Sequence, residues 1–116
     1  MNVNDLIYLI KNGHYVGLHS HTHPNQLKNL SIKSQKMEYR KNYNFLKHFL
    51  KIKKIDCMSH PSGSYNRDTL KILKSYKLKI GFNSSTNINR SVSNKINASN
   101  LEVARVDHTN WMKLIK

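Results

Sequence analysis

Apolar positions along the chain alternate between two rhythms. In "NDLIYLIKNG" they recur at helical spacing, which predicts a short helix over 5–12, with Asn4 as its N-cap and Gly13 where a helix stops. "YVGLHS" then runs apolar without that period, as a short buried strand does. "SIKSQKMEYRKNYNFLKHFLK" returns to the helical period. Ser31 can cap this helix, and Ile32, Tyr39, Tyr43, Leu46 and Leu50 form one apolar stripe. Lys33, Arg40, Lys47 and Lys51 fall beside the stripe on a solvated side, so the aromatics belong to the core and the charges face water. "IDCMSHP" is a second strand and "SGSYN" a turn. "NRDTLKILKSYK" is a helix capped by Asn66, with Asp68 well placed in its first turn. "LKIGFNSS" gives a third strand, 86–100 a polar loop, and "LEVARVD" a fourth strand.

Helices alternating with strands predict parallel βαβ units, and therefore an α/β fold. In such sheets the chemistry gathers at the C-terminal ends of the strands. His19, His21 and His23 follow the first strand, His60 ends the second, and Asp107 with His108 ends the fourth. Five of the seven histidines therefore fall on one rim of the expected sheet.

Composition narrows the classes. A chain of 116 residues makes one domain at most, and 1–116 shows no repeat and no Gly/Ser linker. No apolar run approaches the roughly 18 residues of a membrane span, and the opening "MNVNDLIYLIKNG" is too short and polar for a signal peptide. The single cysteine, Cys57, excludes an internal disulfide and favours a cytoplasmic setting for the chain as given. The formal charge of +14 invites a nucleic-acid reading. Yet 16 of the 20 basic residues are Lys, which is a solvated point charge rather than a bidentate phosphate ligand. Together with 15 asparagines spread along the chain, this makes the charge a compositional bias, and nucleic acid is the disfavoured partner.

"HSHTH" carries the sharpest chemistry. Neutral imidazole is a ready zinc ligand, and a catalytic zinc takes three protein ligands and leaves a position open for water. If the chain curls after the strand, His19 and His23 (i, i+4) can point at one ion while His21 points elsewhere. If it stays extended, all three share a face. Three histidines in five residues at a strand end favour a metal over a polar surface loop.

"GHYVGLHSHTHP" resembles the second motif of the polysaccharide deacetylases (carbohydrate esterase family 4, the NodB-homology domain), of the form H-[ST]-x-x-H. "MSHPSGSYNRDTLKILKSYKLKIGF" is similar to the third motif, a Pro-aromatic-Gly turn followed by helix and strand, and "LEVARVDHTNW" to a late strand ending in Arg-x-Asp. The resemblance runs from about Asp5 to Trp111. It implies a distorted (β/α) barrel in which a divalent metal, zinc above all, is held by one Asp and two His and activates water against an N- or O-acetyl group of a carbohydrate. By the same resemblance His19 and His23 are the histidine ligands, Ser20 supports their loop, and the N–H of Ser62 stabilises the oxyanion. Arg105 and Asp107 would shape the groove and tune the catalytic groups. His108 is the nearest candidate for the general acid.

Several family features are missing. The first motif, of the T-F-D-D-G type, supplies the catalytic-base Asp and the Asp ligand, but only 18 residues precede His19 and no Asp-Asp pair occurs. The third motif has Ser59, His60, Pro61 and Ser62 where an Arg before the Pro and an aromatic after it are usual, and Lys77 stands where Gly ends the family's helix. Asn110 replaces the second Asp of a D-x-x-D-W element. The expectation is one truncated domain, a partial barrel without its leading β/α unit or units, with low deacetylase activity alone and open sheet edges that favour oligomers. A non-catalytic carbohydrate-binding remnant and a basic nucleic-acid-binding protein are the two alternatives. The second of these predicts affinity that falls steeply with salt.

Overall fold

The computed structural model describes residues 2–85, 99–105 and 112. Helix α1 spans Val3–Lys11. Asn2, rather than the expected Asn4, is its N-cap: its side chain accepts from Asp5 N–H, and the Asp5 carboxylate accepts in return from Asn2 N–H. The reciprocal pair satisfies two N-terminal donors at once, which a cap at Asn4 would forgo. Gly13 follows the helix at φ +84°, a left-handed position suited to glycine.

Helix α2, Ile32–His48, begins at Ser31 as expected, its hydroxyl accepting from Ser34 N–H. Tyr39, Leu46 and Leu50 are buried from the predicted stripe, but Ile32 is 48% exposed. It lines a shallow groove with Ile72 and Tyr76 instead of lying beneath them. Strand β1, Cys57–Ser59, leads into a tight turn at Pro61–Gly63 and then helix α3, Arg67–Ser75. Asn66 caps α3 with Thr69 as its reciprocal partner. Lys77 ends the element at φ 55°, taking without a glycine the left-handed geometry the position requires.

Strand β2, Ile80–Phe82, pairs with β1 in parallel, Met58 opposite Gly81. The expected first and fourth strands are present only as single parallel bridges, Leu18 to Met58 and Phe82 to Val103. Four consecutive segments thus lie side by side in chain order. This is the parallel βαβ arrangement the pattern predicts. Residues 86–98 of the expected loop lie outside the described residues.

The core lies between this sheet and the helices. Leu18, Met58 and Leu101 meet Tyr39, Leu46, Ile72 and Leu73 there, each nearly free of solvent. Each such side chain contributes about 1.5–3 kcal/mol by leaving water. Inside this interface Gln35 accepts from the Thr69 hydroxyl at 2.6 Å and donates to Leu30 O at 3.0 Å, so the buried polar pair that joins α2 to α3 is satisfied. Both strands bury their middle residue and leave the flanking ones half-exposed, so Cys57, Ser59, Ile80 and Phe82 are only partly covered.

Candidate metal centre

The site grows from the end of the first bridge. Leu18 is tied to β1 on both sides: its N–H donates to Cys57 O and its carbonyl accepts from Ser59 N–H, each at 3.0 Å. The segments approach so closely that a Cβ on Gly17 would stand 2.6 Å from Cys57 O. Beyond Leu18 the chain leaves the ladder. Ser20 (φ 62°) and His23 (φ 54°) are both left-handed, so the segment curls instead of extending.

The curl brings the His19 and His23 rings together, with centroids 4.9 Å apart and planes inclined by 55°. His19 Nδ1 lies 2.8 Å from the carbonyl of Ser59. A carbonyl only accepts, so Nδ1 carries the proton and the Nε2 lone pair is free to bind a cation. Orientation of a ligating imidazole through its other nitrogen is a recurrent support of metal sites.

Side chains of α2 hold the curl from below. Glu38 and Asn42 are four residues apart and so lie on one face. The Glu38 carboxylate accepts from His21 N–H (2.9 Å), Thr22 N–H (2.8 Å) and the Thr22 hydroxyl (2.9 Å), and Asn42 Oδ1 accepts from His19 N–H (2.9 Å). Burial pushes the Glu38 carboxyl up, but the hydrogen bonds from Thr22 and His21 outweigh it and hold the group below the usual carboxylate range. Ser20, expected to support the loop, is buried with its Oγ unpartnered; its contribution is the left-handed backbone.

Beside the histidines stands the turn at Pro61–Gly63. Gly63 N–H donates to His60 O and Ser64 N–H to Pro61 O, which leaves the Ser62 N–H outside the turn's own bonds. Ser62 is exposed and left-handed at φ 50°. His60 is 2% exposed, stacked on Tyr65 with centroids 4.0 Å apart, and donates from Nε2 to Leu101 O at 2.8 Å. Its Nδ1 is buried without a partner. Burial holds this imidazole far below its ordinary range, at about 4, against the opposing pull of the Leu101 carbonyl and of Glu102. His60 is therefore a neutral part of the core, whereas the sequence placed it on the open rim. The Tyr65 hydroxyl donates to the buried Glu102 carboxylate at 3.2 Å.

Arg105 lies two residues beyond the Val103 bridge, exposed, with its N–H on Ser85 O. Asp107 and His108 lie outside the described residues. Among the described residues no three of His, Cys, Asp and Glu converge on one point. The donor set therefore fits a divalent ion in part, with two imidazoles, one of them fixed in the ligating tautomer. Glu38, Asn42 and the Ser59 carbonyl went unread in the sequence. One signal was available: Glu38 is among only six acidic residues of a chain charged +14, and it sits one turn from Asn42 on a helix that follows the histidines.

The sequence profile described as "Polysaccharide deacetylase" matches residues 3–81. No protein with a curated description matches the chain. Among solved structures, the deacetylase PplD of Streptococcus pyogenes, in complex with acetate, superposes with a TM-score of 0.74 at 21% identity, over all of this chain and 51% of that one. The deacetylase domain of BpsB from Bordetella bronchiseptica gives 0.70 at 16% identity over 90% of this chain and 48% of that one. BA3943 of Bacillus anthracis, a CE4 family pseudoenzyme, gives 0.60 at 26% identity over 66% and 27%. A mutant of it with restored enzymatic activity matches equally well. The chain thus spans about half the length of the two deacetylase structures, at 51% and 48%.

Proposed function

This chain belongs to the polysaccharide deacetylase family, and on that premise we propose that it is the metal-holding part of a carbohydrate deacetylase. In this reading residues 1–116 form a single partial domain, a section of a distorted (β/α) barrel whose other β/α units carry the catalytic-base Asp. His19 and His23 are the protein ligands of a divalent ion, zinc first among the candidates. The observation that carries the reading is the pairing of their rings at 4.9 Å, with His19 Nδ1–H fixed on Ser59 O so that the lone pair is left on Nε2.

When bound, the ion supplies Lewis-acid polarisation of an acetyl carbonyl and a more acidic water. The chain's own groups do the remainder. The Ser62 N–H, outside its turn's bonds, donates to the oxygen that gains charge as the acetyl carbon becomes tetrahedral. By the family resemblance Arg105 and Asp107 would shape the groove for the sugar and His108 would return a proton to the departing nitrogen or oxygen; Asp107 and His108 lie outside the described residues. The substrate class is an acetylated poly- or oligosaccharide.

Two measurements test this. Zinc titration of the purified chain should give one equivalent bound, lost in His19→Ala and in His23→Ala; no uptake, or uptake indifferent to both changes, refutes the metal reading. Acetate release from N-acetylglucosamine oligomers should be trace at most. Turnover matching that of PplD on its own substrate would overturn the incompleteness of the site. A second reading, a carbohydrate-binding remnant without catalysis, is favoured by the missing third ligand among the described residues and by the likeness to a pseudoenzyme. It predicts oligosaccharide binding with no acetate release and no response to zinc.

A further inference from the structure

We infer that Glu38 and Asn42 are positioning residues for the metal site, setting its affinity without touching the ion. The inference rests on the reading of His19 and His23 as ligands and goes beyond it to what makes them converge. Left to itself, a segment whose three histidines are exposed has every reason to extend. Two of its residues, Ser20 and His23, are held in the left-handed region, which is unfavourable for a non-glycine residue. Extension would also fan His19 and His23 apart by about four residues' rise, roughly 13 Å. Ser20, at the start of the curl, does not oppose this through its side chain, because its Oγ makes no hydrogen bond.

The opposing force comes from α2. Three of the loop's amides, those of His19, His21 and Thr22, end on two side chains one helical turn apart, and the Thr22 hydroxyl joins them. Hydrogen bonds to a carboxylate are about twice as strong as neutral ones. Among the described residues Glu38 takes part in no ion pair, although basic side chains abound, so its carboxylate is directed wholly at the loop. The clamp is rigid because α2 is anchored by Gln35, Tyr39 and Leu46 on its buried side. Glu38 fixes the middle of the curl and Asn42 its entrance, and together they hold the two imidazoles on one ion.

The test combines zinc affinity with amide hydrogen exchange on the parent, Glu38→Gln, Glu38→Ala and Asn42→Ala. In the metal-free chain Glu38→Ala should expose the amides of His21 and Thr22 and leave that of His19 protected; Asn42→Ala should do the reverse. The Ser59 amide, bonded to Leu18 O, should stay protected in every variant and so report an intact fold. Zinc affinity should fall about 10- to 100-fold in both alanine variants. Glu38→Gln, which keeps an acceptor oxygen, should lie between these and the parent. Folded alanine variants that bind zinc as tightly as the parent overturn the inference alone. A parent that binds no zinc overturns the ligand reading and the inference with it.

Discussion

Protonation of His60 should make the chain acid-sensitive in a window that can be assigned to one residue. The ring is 2% exposed and titrates at about 4 in the folded chain, whereas an unfolded histidine titrates near 6.5. The folded value is the lower one. Between the two the unfolded chain therefore binds the extra proton, and stability falls as pH falls from 6.5 towards 4, levelling off below. Integrated over that interval, the loss relative to neutral pH is about 2 kcal/mol at pH 5 and about 3 kcal/mol at pH 4. Against a total of roughly 5–15 kcal/mol for a small domain, this is a large fraction. Glu38 acts in the same direction but lower: its depressed carboxyl loses its contribution only as pH falls below the ordinary carboxylate value. The assay is urea unfolding at pH 7 and pH 5 for the parent and for His60→Gln, whose amide can still donate to Leu101 O but does not titrate. Subtracting the two cancels every other ionising group. The parent should lose about 2 kcal/mol more than the variant between these pH values. Equal losses in both would refute the argument that burial keeps His60 neutral.

Further outcomes follow from packing and from the helix caps. Gly17→Ala should lower stability by about 1–3 kcal/mol in thermal unfolding, because its Cβ would press on Cys57 O and force two hydrogen-bonded segments apart. Gly13→Ala, with open space around it but φ +84°, should cost only about 1 kcal/mol. Asn66→Ala should cost about 1–2 kcal/mol, since it removes the cap of α3 and the bond from its amide to Lys28 O, whereas Asn2→Ala should mainly fray α1, which buries no residue. Light scattering should detect self-association that rises with protein concentration, because the half-covered Ile80 and Phe82 of β2 invite pairing; a strict monomer at high concentration would contradict this.

Local signals carried most of the fold. Ser31 and Asn66 start the helices predicted from them because short polar side chains there satisfy orphan amides, and Tyr39 and Leu46 of the predicted stripe mark the buried face of α2. The errors arose where a tertiary partner decides. The cap of α1 is the exception, a local choice: Asn4 and Asn2 offer the same side chain, and the reciprocal Asp5 three residues on from Asn2 distinguishes them. The first strand shrinks to a bridge at Leu18 because the next amide leaves the ladder for Asn42, 23 residues away in sequence. His60 reads as a rim histidine until Tyr65 and Leu101 close over it. At the site itself, the spacing of His19 and His23 permitted convergence without requiring it. In the structure the curl is bonded to Glu38 and Asn42, which only the scarcity of acidic residues and their one-turn spacing hinted at in the sequence.

The most direct test of the central claim, that His19 and His23 hold a divalent ion, is imidazole nitrogen NMR of the labelled chain during zinc addition. The account predicts that His19 keeps its proton on Nδ1, hydrogen-bonded to Ser59 O, while its Nε2 and one nitrogen of His23 shift together at one equivalent. The signals of His14, His48 and the buried His60 should stay in place. Shifts at His14 or His48 with none at His19 and His23, or no shift at all, would contradict it.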